Sequence, residues 1–292
     1  MGRRGVPGAA GVGAGEDQEV HPVPEGAHAN GHGGLPGSGG AKRTLQGRRG
    51  LSHLKLIPLA SSSHGNAYLV EDGTTCLLIE CGVSWKKLQK LTGFGVSGIA
   101  GCLISHEHKD HAGCYEQLIR SGVPVYASRG TAEALGCEQL EPLEDREAVA
   151  LGSFDVLPFP TFHDAAEPMG FLIRSRTDGD KLVFATDTVN LGYQFPGVDL
   201  VAIECNYDEA ALERSERMPE KVRRRVANAH MSVSRACAWL AGLDKSRVRE
   251  VYLMHLSDAC GNEWMFRRLV QQVVGDWVQV TVCPRERLEE VK

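Results

Sequence analysis

The chain has 292 residues, 42% of them hydrophobic, and a formal charge of −5, which is apolar material enough for one sizeable core. That balance excludes a protein that coats nucleic acid or anionic membrane through a general Lys/Arg excess, so any nucleic-acid contact must be local. Nine cysteines without paired spacing, among them Cys76, Cys81, Cys102 and Cys205 inside apolar runs, predict buried thiols in a reducing, cytoplasmic setting.

Residues 1–50 hold 15 of the 34 Gly and four Pro, with no apolar period and no signal-peptide core. They are predicted to be a disordered tail, because they cannot bury enough surface to offset the entropy of ordering. Its His21, His28 and His32 read as solvated spacer. The tail carries six Lys/Arg against four Asp/Glu, so the body from 51 to 292 has a charge of −5 minus 2, or −7. No apolar stretch approaches the ~20 residues that span a bilayer.

From Leu54 the chain alternates short apolar runs with amphipathic segments. Residues 54–60, 67–73 and 75–82 are predicted strands, the last two joined by a tight hairpin at Asp72-Gly73. Ser84 opens a helix over 84–93, followed by a strand over 98–106, a helix over 112–122, a strand at 124–128 and a short helix at 131–136. A second wave has strands at 154–160, 170–176, 181–187 and 198–206, then helices through 208–242. A strand over 248–257, a helix over 263–275 and a strand over 278–283 complete it. Two β-rich halves, each with helices, predict an α/β fold of two sheets packed face to face with helices outside, an α/β/β/α sandwich.

The sharpest signal is "ISHEHKDHAG" at 104–113. His106 and His108 alternate at the end of the predicted strand, and Asp110 and His111 lie on the turn into the next helix, so four candidate ligands converge on one strand tip. Imidazole and carboxylate at this spacing suit a borderline divalent cation. His163 in "TFHDA", Asp187 in "FATDT", His230 in "NAHMS" and His255 in "YLMHLS" each stand at a strand end or a helix entry, where sites are built.

With "SSSHGNAYLV", "LLIECG", "ISHEHKDHAG", "FATDT", "ECNYDE" and "HMSVSRACAWLAGL" before "VYLMHLSD", residues 52–292 resemble the metallo-β-lactamase-fold hydrolases and, more closely, the bacterial YycJ/WalJ family. The resemblance implies that His106, His108 and His163 hold one metal, Asp110, His111 and His255 a second, and that Asp187 bridges them. It implies a pair of divalent ions, Zn²⁺ or Mn²⁺, and a 5′–3′ exonuclease type of action on DNA, with Asp110 and His230 as catalytic residues. For His230, the similarity is to the proton donor of RNase Z in a His-x-Ser/Thr context. Two departures stand out: Glu80 where the family usually has Asp, and His64 where it has a small residue. Glu80 is expected to orient a ligand histidine from behind, and His64 to be an exposed turn residue.

Three function classes follow. The first is a DNA phosphodiesterase or nuclease, supported by the basic segment Lys221, Arg223, Arg224 and Arg225 ahead of His230, which could hold a phosphate backbone. A small-molecule hydrolase of thioesters or lactones would use the same metals without that segment. A non-catalytic module with a structural metal is the third, disfavoured because seven ligands exceed the four of a closed zinc site. Ser61, Ser62, Ser63, Gly65 and Asn66 are expected to present backbone N–H groups to a phosphate. DNA is the expected partner, with no membrane and no obligate protein partner.

Overall fold

The apolar runs form strands in the computed structural model of the chain, which describes residues 18–19 and 53–287. The expected tail over residues 1–50 lies outside the described residues, except that β1 (Gln18–Glu19) runs parallel to Tyr193–Gln194. The first half contains β2 (Lys55–Ala60), β3 (Ala67–Glu71), β4 (Cys76–Ile79), α1 (Trp85–Leu91) and β5 (Cys102–Leu103). Next come α2 (Lys109–Ala112), α3 (Tyr115–Arg120), β6 (Val125–Ser128), α4 (Arg129–Leu135) and β7 (Glu141–Leu143). The second half begins with β8 (Val149–Leu151), β9 (Phe154–Pro160), β10 (Met169–Ser175), β11 (Lys181–Ala185), β12 (Tyr193–Gln194) and β13 (Leu200–Glu204). It closes with α5 (Glu209–Glu213), α6 (Glu220–Ala229), α7 (Val233–Gly242), β14 (Glu250–Met254), α8 (Glu263–Val274) and β15 (Gln279–Val282).

One sheet has six strands in the order β2-β3-β4-β5-β6-β7, the other seven in the order β15-β14-β13-β11-β10-β9-β8. Strands β11, β13, β14 and β15 are mutually parallel, so their carboxyl ends share one edge. Between the sheets lie Tyr68, Ile79 and Leu103 from one and Phe154, Phe171, Phe184 and Met254 from the other. The Tyr68 and Phe184 rings meet edge-on at 5.1 Å, a favoured aromatic arrangement. Outside, α1 and α3 bury Leu88 and Leu118 against the first sheet, and α7 and α8 bury Trp239, Leu240, Phe266 and Val270 against the second. The α/β/β/α sandwich is therefore the observed architecture. Among the described residues no helix is long and apolar enough to cross a membrane, and all nine cysteines are unpaired.

Two local expectations are corrected. The strand over 98–106 shrinks to Cys102–Leu103, after a 3₁₀ turn at Val96–Gly98, and the histidines follow it in a loop. The helix over 112–122 is two helices, interrupted at Gly113 and Cys114. The interruption has a physical cause: the backbone at Cys81 lies against it, donating Cys81 N–H to the His111 carbonyl and accepting from Cys114 N–H, at 2.8 and 2.9 Å. The short strands β7, β8 and β12 carry no alternating pattern long enough to predict.

Candidate metal centre

Four strand ends and one short helix converge on one edge of the sandwich. After β5 come His106 and His108; α2 carries Asp110 and His111; His163 follows β9; Asp187 follows β11; His255 follows β14. Glu80, Asp187 and His255 have positive φ angles of 62°, 44° and 55°. Left-handed backbone at a non-glycine residue is strained, and here it recurs directly after β4, β11 and β14, where each chain must turn a side chain into the cleft.

Two groups of donors form there. His106 Nε2 and His163 Nε2 lie 3.1 and 3.2 Å from His108 Nδ1. His163 Nδ1 donates to the Ala229 carbonyl at 2.8 Å, which fixes its tautomer and leaves the Nε2 lone pair for the cleft. His106 Nδ1 bonds Ser105 Oγ at 2.8 Å. In the second group, Asp110 Oδ2 lies 3.5 Å from His111 Nε2 and 3.7 Å from His255 Nε2. Asp187 Oδ2 reaches both groups, at 3.4 Å from His111 Nε2 and 3.6 Å from His163 Nε2. All seven residues singled out as ligands are thus brought together, and His230 joins them, with Nδ1 3.8 Å from Asp187 Oδ2.

The donor set fits cations. His255 Nε2 is buried without a hydrogen-bond partner, and three imidazole nitrogens converge where no single proton serves all of them. The sets His106/His108/His163 and Asp110/His111/His255 can each hold a metal ion. Protonation of the protein alone follows the same field. Burial pushes the His106 imidazole well below its ordinary pKa, reinforced by His111, and lowers His163. Burial also opposes a charged His255, yet Asp187, Asp110 and Glu204 push it up to about 10. His111 is held well above its usual value against its burial by Asp187, Glu80 and Asp110. Burial would raise Asp110, but the neighbouring His111 and His255 rings bring it far below the usual carboxylate range. The centre calls for positive charge.

Glu80 stands behind His111, with Oε1 3.5 Å from His111 Nδ1, a charge contact and not a hydrogen bond, and with Oε2 accepting from Ser105 N–H at 3.4 Å. His64 is an exposed turn residue 4.0 Å from Asp258. Four of the five N–H groups expected to form a phosphate cradle, those of Ser61, Ser62, Gly65 and Asn66, are spent inside the protein. The N–H groups of Ser61, Ser62, His64, Gly65 and Asn66 are consumed by the Arg285 carbonyl, Asn66 Oδ1, Ser62 Oγ, the Ser62 carbonyl and the Asp110 carbonyl. The basic segment divides as well. Arg223 closes its own loop onto the Ser215 and Met218 carbonyls, Arg224 pairs with Glu220 at the surface, and Arg225 bonds Asp164.

Sequence reasoning missed Glu204. Fully buried, it accepts from His230 Nδ1 at 2.7 Å and from His255 Nδ1 at 3.1 Å, and from Thr188 and Met231 N–H at 2.8 and 3.0 Å. A signal existed: a lone carboxylate ending the otherwise apolar strand "LVAIE" needs partners to be tolerated.

The profile of the Beta-lactamase superfamily domain matches residues 75–256. The chain belongs to this superfamily. Among curated relatives, it is 29% identical over 233 residues to exodeoxyribonuclease YycJ of Bacillus anthracis, covering 74% of this chain and 87% of that one. It is 28% identical over 218 residues to exodeoxyribonuclease WalJ of Streptococcus pneumoniae, covering 68% and 80%. Its fold is shared with the metallo-beta-lactamase fold protein YhfI from Bacillus subtilis, at a TM-score of 0.62, 18% identity, and coverage of 80% and 98%. Within the superfamily the chain is YycJ/WalJ-like.

Proposed function

We propose that this protein hydrolyses phosphodiester bonds in DNA, using two divalent cations, Zn²⁺ or Mn²⁺. His106, His108 and His163 would hold one, Asp110, His111 and His255 the other, and Asp187 would bridge them. The observation that carries this reading is the position of Asp187 Oδ2 between His111 Nε2 and His163 Nε2, at 3.4 and 3.6 Å, which gives two adjacent nitrogen sets one shared carboxylate. When bound, such a pair supplies a water nucleophilic at neutral pH and positive charge for a phosphoryl transition state. Asp110, half-buried and kept ionised, orients the attacking water. His230 donates Nδ1–H to Glu204, and its half-buried ring delivers a proton from Nε2 to the departing alkoxide. Glu204 raises the His230 pKa against its burial, which keeps the acid charged for that step. The exodeoxyribonuclease names of the YycJ and WalJ relatives support DNA as substrate. Residues 51–292 carry the activity in this reading, and a reducing cytoplasm suits nine free thiols.

The test is purified full-length protein with measured metal content, assayed on end-labelled double- and single-stranded DNA, RNA, bis(p-nitrophenyl) phosphate, a thioester and a lactone. Two ions per chain and strongest turnover on DNA are expected. Thioester or lactone turnover without nuclease activity in any metal would replace this reading with a small-molecule hydrolase. RNA cleaved in preference to DNA would overturn the substrate.

A further inference from the structure

We propose that Arg225 grips the phosphate next to the scissile one and so sets how a nucleic-acid strand enters the centre; this deepens the phosphodiesterase reading and rests on it. Helix α6 is tied to the cleft at its last turn, where the Ala229 carbonyl accepts from His163 Nδ1 at 2.8 Å. Arg225 stands four residues earlier, on the same helix face. Its Nε donates to Asp164 Oδ2 at 2.7 Å, and Asp164 Oδ1 lies 3.4 Å from His163 Nε2. A guanidinium is thereby fixed one carboxylate away from a candidate ligand.

The rest of that guanidinium is unspent. Its two terminal nitrogens have no protein acceptor among the described residues, and the side chain is 63% exposed. Its hydrogen bond to Asp164 and the Asp164 charge, and after them the charges of Asp110 and Asp187, favour its cationic form, so it stands within the field of the centre. Its neighbours differ. Arg223 is committed to two loop carbonyls and Arg224 to Glu220, and Lys221 has no ion pair among the described residues.

Chemistry then selects the ligand. A guanidinium held through Nε offers its outer N–H groups as a planar fork, which matches two oxygens of a phosphate better than an ammonium does. The fork lies outside the ligand ring, with Asp164 between it and His163, where the neighbouring phosphate of a polynucleotide would pass. A substrate with a single phosphate cannot use it.

The experiment compares full-length wild type, Arg225→Ala, Arg225→Lys and Arg224→Ala, each first checked by thermal melting. Binding of fluorescein-labelled single- and double-stranded oligonucleotides is followed by anisotropy in EDTA across a KCl series. Arg225→Ala is expected to raise Kd about 10-fold and to reduce the log–log salt slope by about one. Arg225→Lys should restore the slope and less than half of the lost affinity, and Arg224→Ala should match wild type. In the metal-loaded enzyme, the loss of kcat/KM in Arg225→Ala should be at least ~10-fold greater on DNA than on bis(p-nitrophenyl) phosphate. Wild-type Kd and slope in Arg225→Ala, or equal losses on the two substrates, would overturn the inference while leaving nuclease activity in place. A wild-type protein that neither binds nor cleaves nucleic acid would overturn the phosphodiesterase reading and this inference together.

Discussion

Carboxylates stand behind three of the histidines that meet at the centre: Glu80 behind His111 at 3.5 Å, and Glu204 behind both His230 and His255 at 2.7 and 3.1 Å. Each receives or faces Nδ1, which turns Nε2 toward the cleft and makes the ring a better donor to a cation. Glu80→Gln keeps the shape and removes the charge, so affinity for divalent metal should fall roughly 10- to 100-fold. Competition against a chromogenic chelator measures this, and wild-type affinity would refute it. For His230 the expected variant behaviour is different, because its proposed role is to donate a proton and not to hold a metal. His230→Ala should keep two ions and lose roughly 10²- to 10⁴-fold in rate on DNA, and much less on a p-nitrophenyl ester, whose leaving group needs no proton. The pH profile adds an independent check. Glu204 holds the His230 pKa above its ordinary value despite burial, so activity should fall as pH rises through that raised value. In Glu204→Gln the same limb should move to lower pH. Loss of metal from His230→Ala, or equal losses on both substrates, would contradict the donor role.

At the scale of elements, the site depends on how closely α2 approaches the loop after β4. A Cβ built on Gly82 would sit 1.6 Å from the Asp110 carbonyl oxygen, which is backbone and cannot move aside without moving Asp110 itself. Gly82→Ala should therefore cost at least the ~3 kcal/mol at the upper end of ordinary overpacking, about 6–12 °C in melting temperature for a chain of this size. It should also weaken metal binding at Asp110 and His111. A melting temperature within a degree or two of wild type would show that the loop relaxes freely. These elements also explain which features were legible in the sequence. His106, His108, Asp110 and His111 lie within one local motif, so their spacing alone declares the site. Glu204 pairs with residues 26 and 51 positions away, and no local pattern announces such partners. The 61–66 turn misled for the opposite reason, because its small residues have the composition of a phosphate loop while the Asn66 side chain and the Asp110 carbonyl absorb its N–H groups. Splitting of the helix at Gly113 was hidden too, since its cause is the distant backbone at Cys81.

Across the whole molecule, the two sheets open at the metal edge and must be held together at the other. Strand β4 enters the cleft at its carboxyl end, so the β3–β4 turn lies at the opposite edge, and there Asp72 joins the halves. Its carboxylate accepts from Thr74 and Thr75 N–H in its own turn at 3.0 and 2.9 Å. From the other sheet come the hydroxyls of Ser153, Ser175 and Thr177 at 2.6, 2.9 and 2.9 Å. Burial opposes the charge, yet these hydrogen bonds, led by Ser153, lower the Asp72 pKa below its ordinary 3.8. A depressed pKa in the folded state contributes stability that is present above the unfolded value and lost as pH falls through the folded one. Asp72→Asn places an amide among donors and removes that contribution, so at neutral pH it should cost about 2 kcal/mol, roughly 4–8 °C in melting temperature. The difference between wild type and variant in urea unfolding should be constant from pH 7 to about 5 and shrink below pH 4, as the wild-type carboxylate itself takes up a proton. Metal content should be unchanged, because Asp72 lies at the far edge from the ligands. A difference that persists undiminished at pH 3 would show that Asp72 acts through shape alone and that its charge does not clamp the sheets.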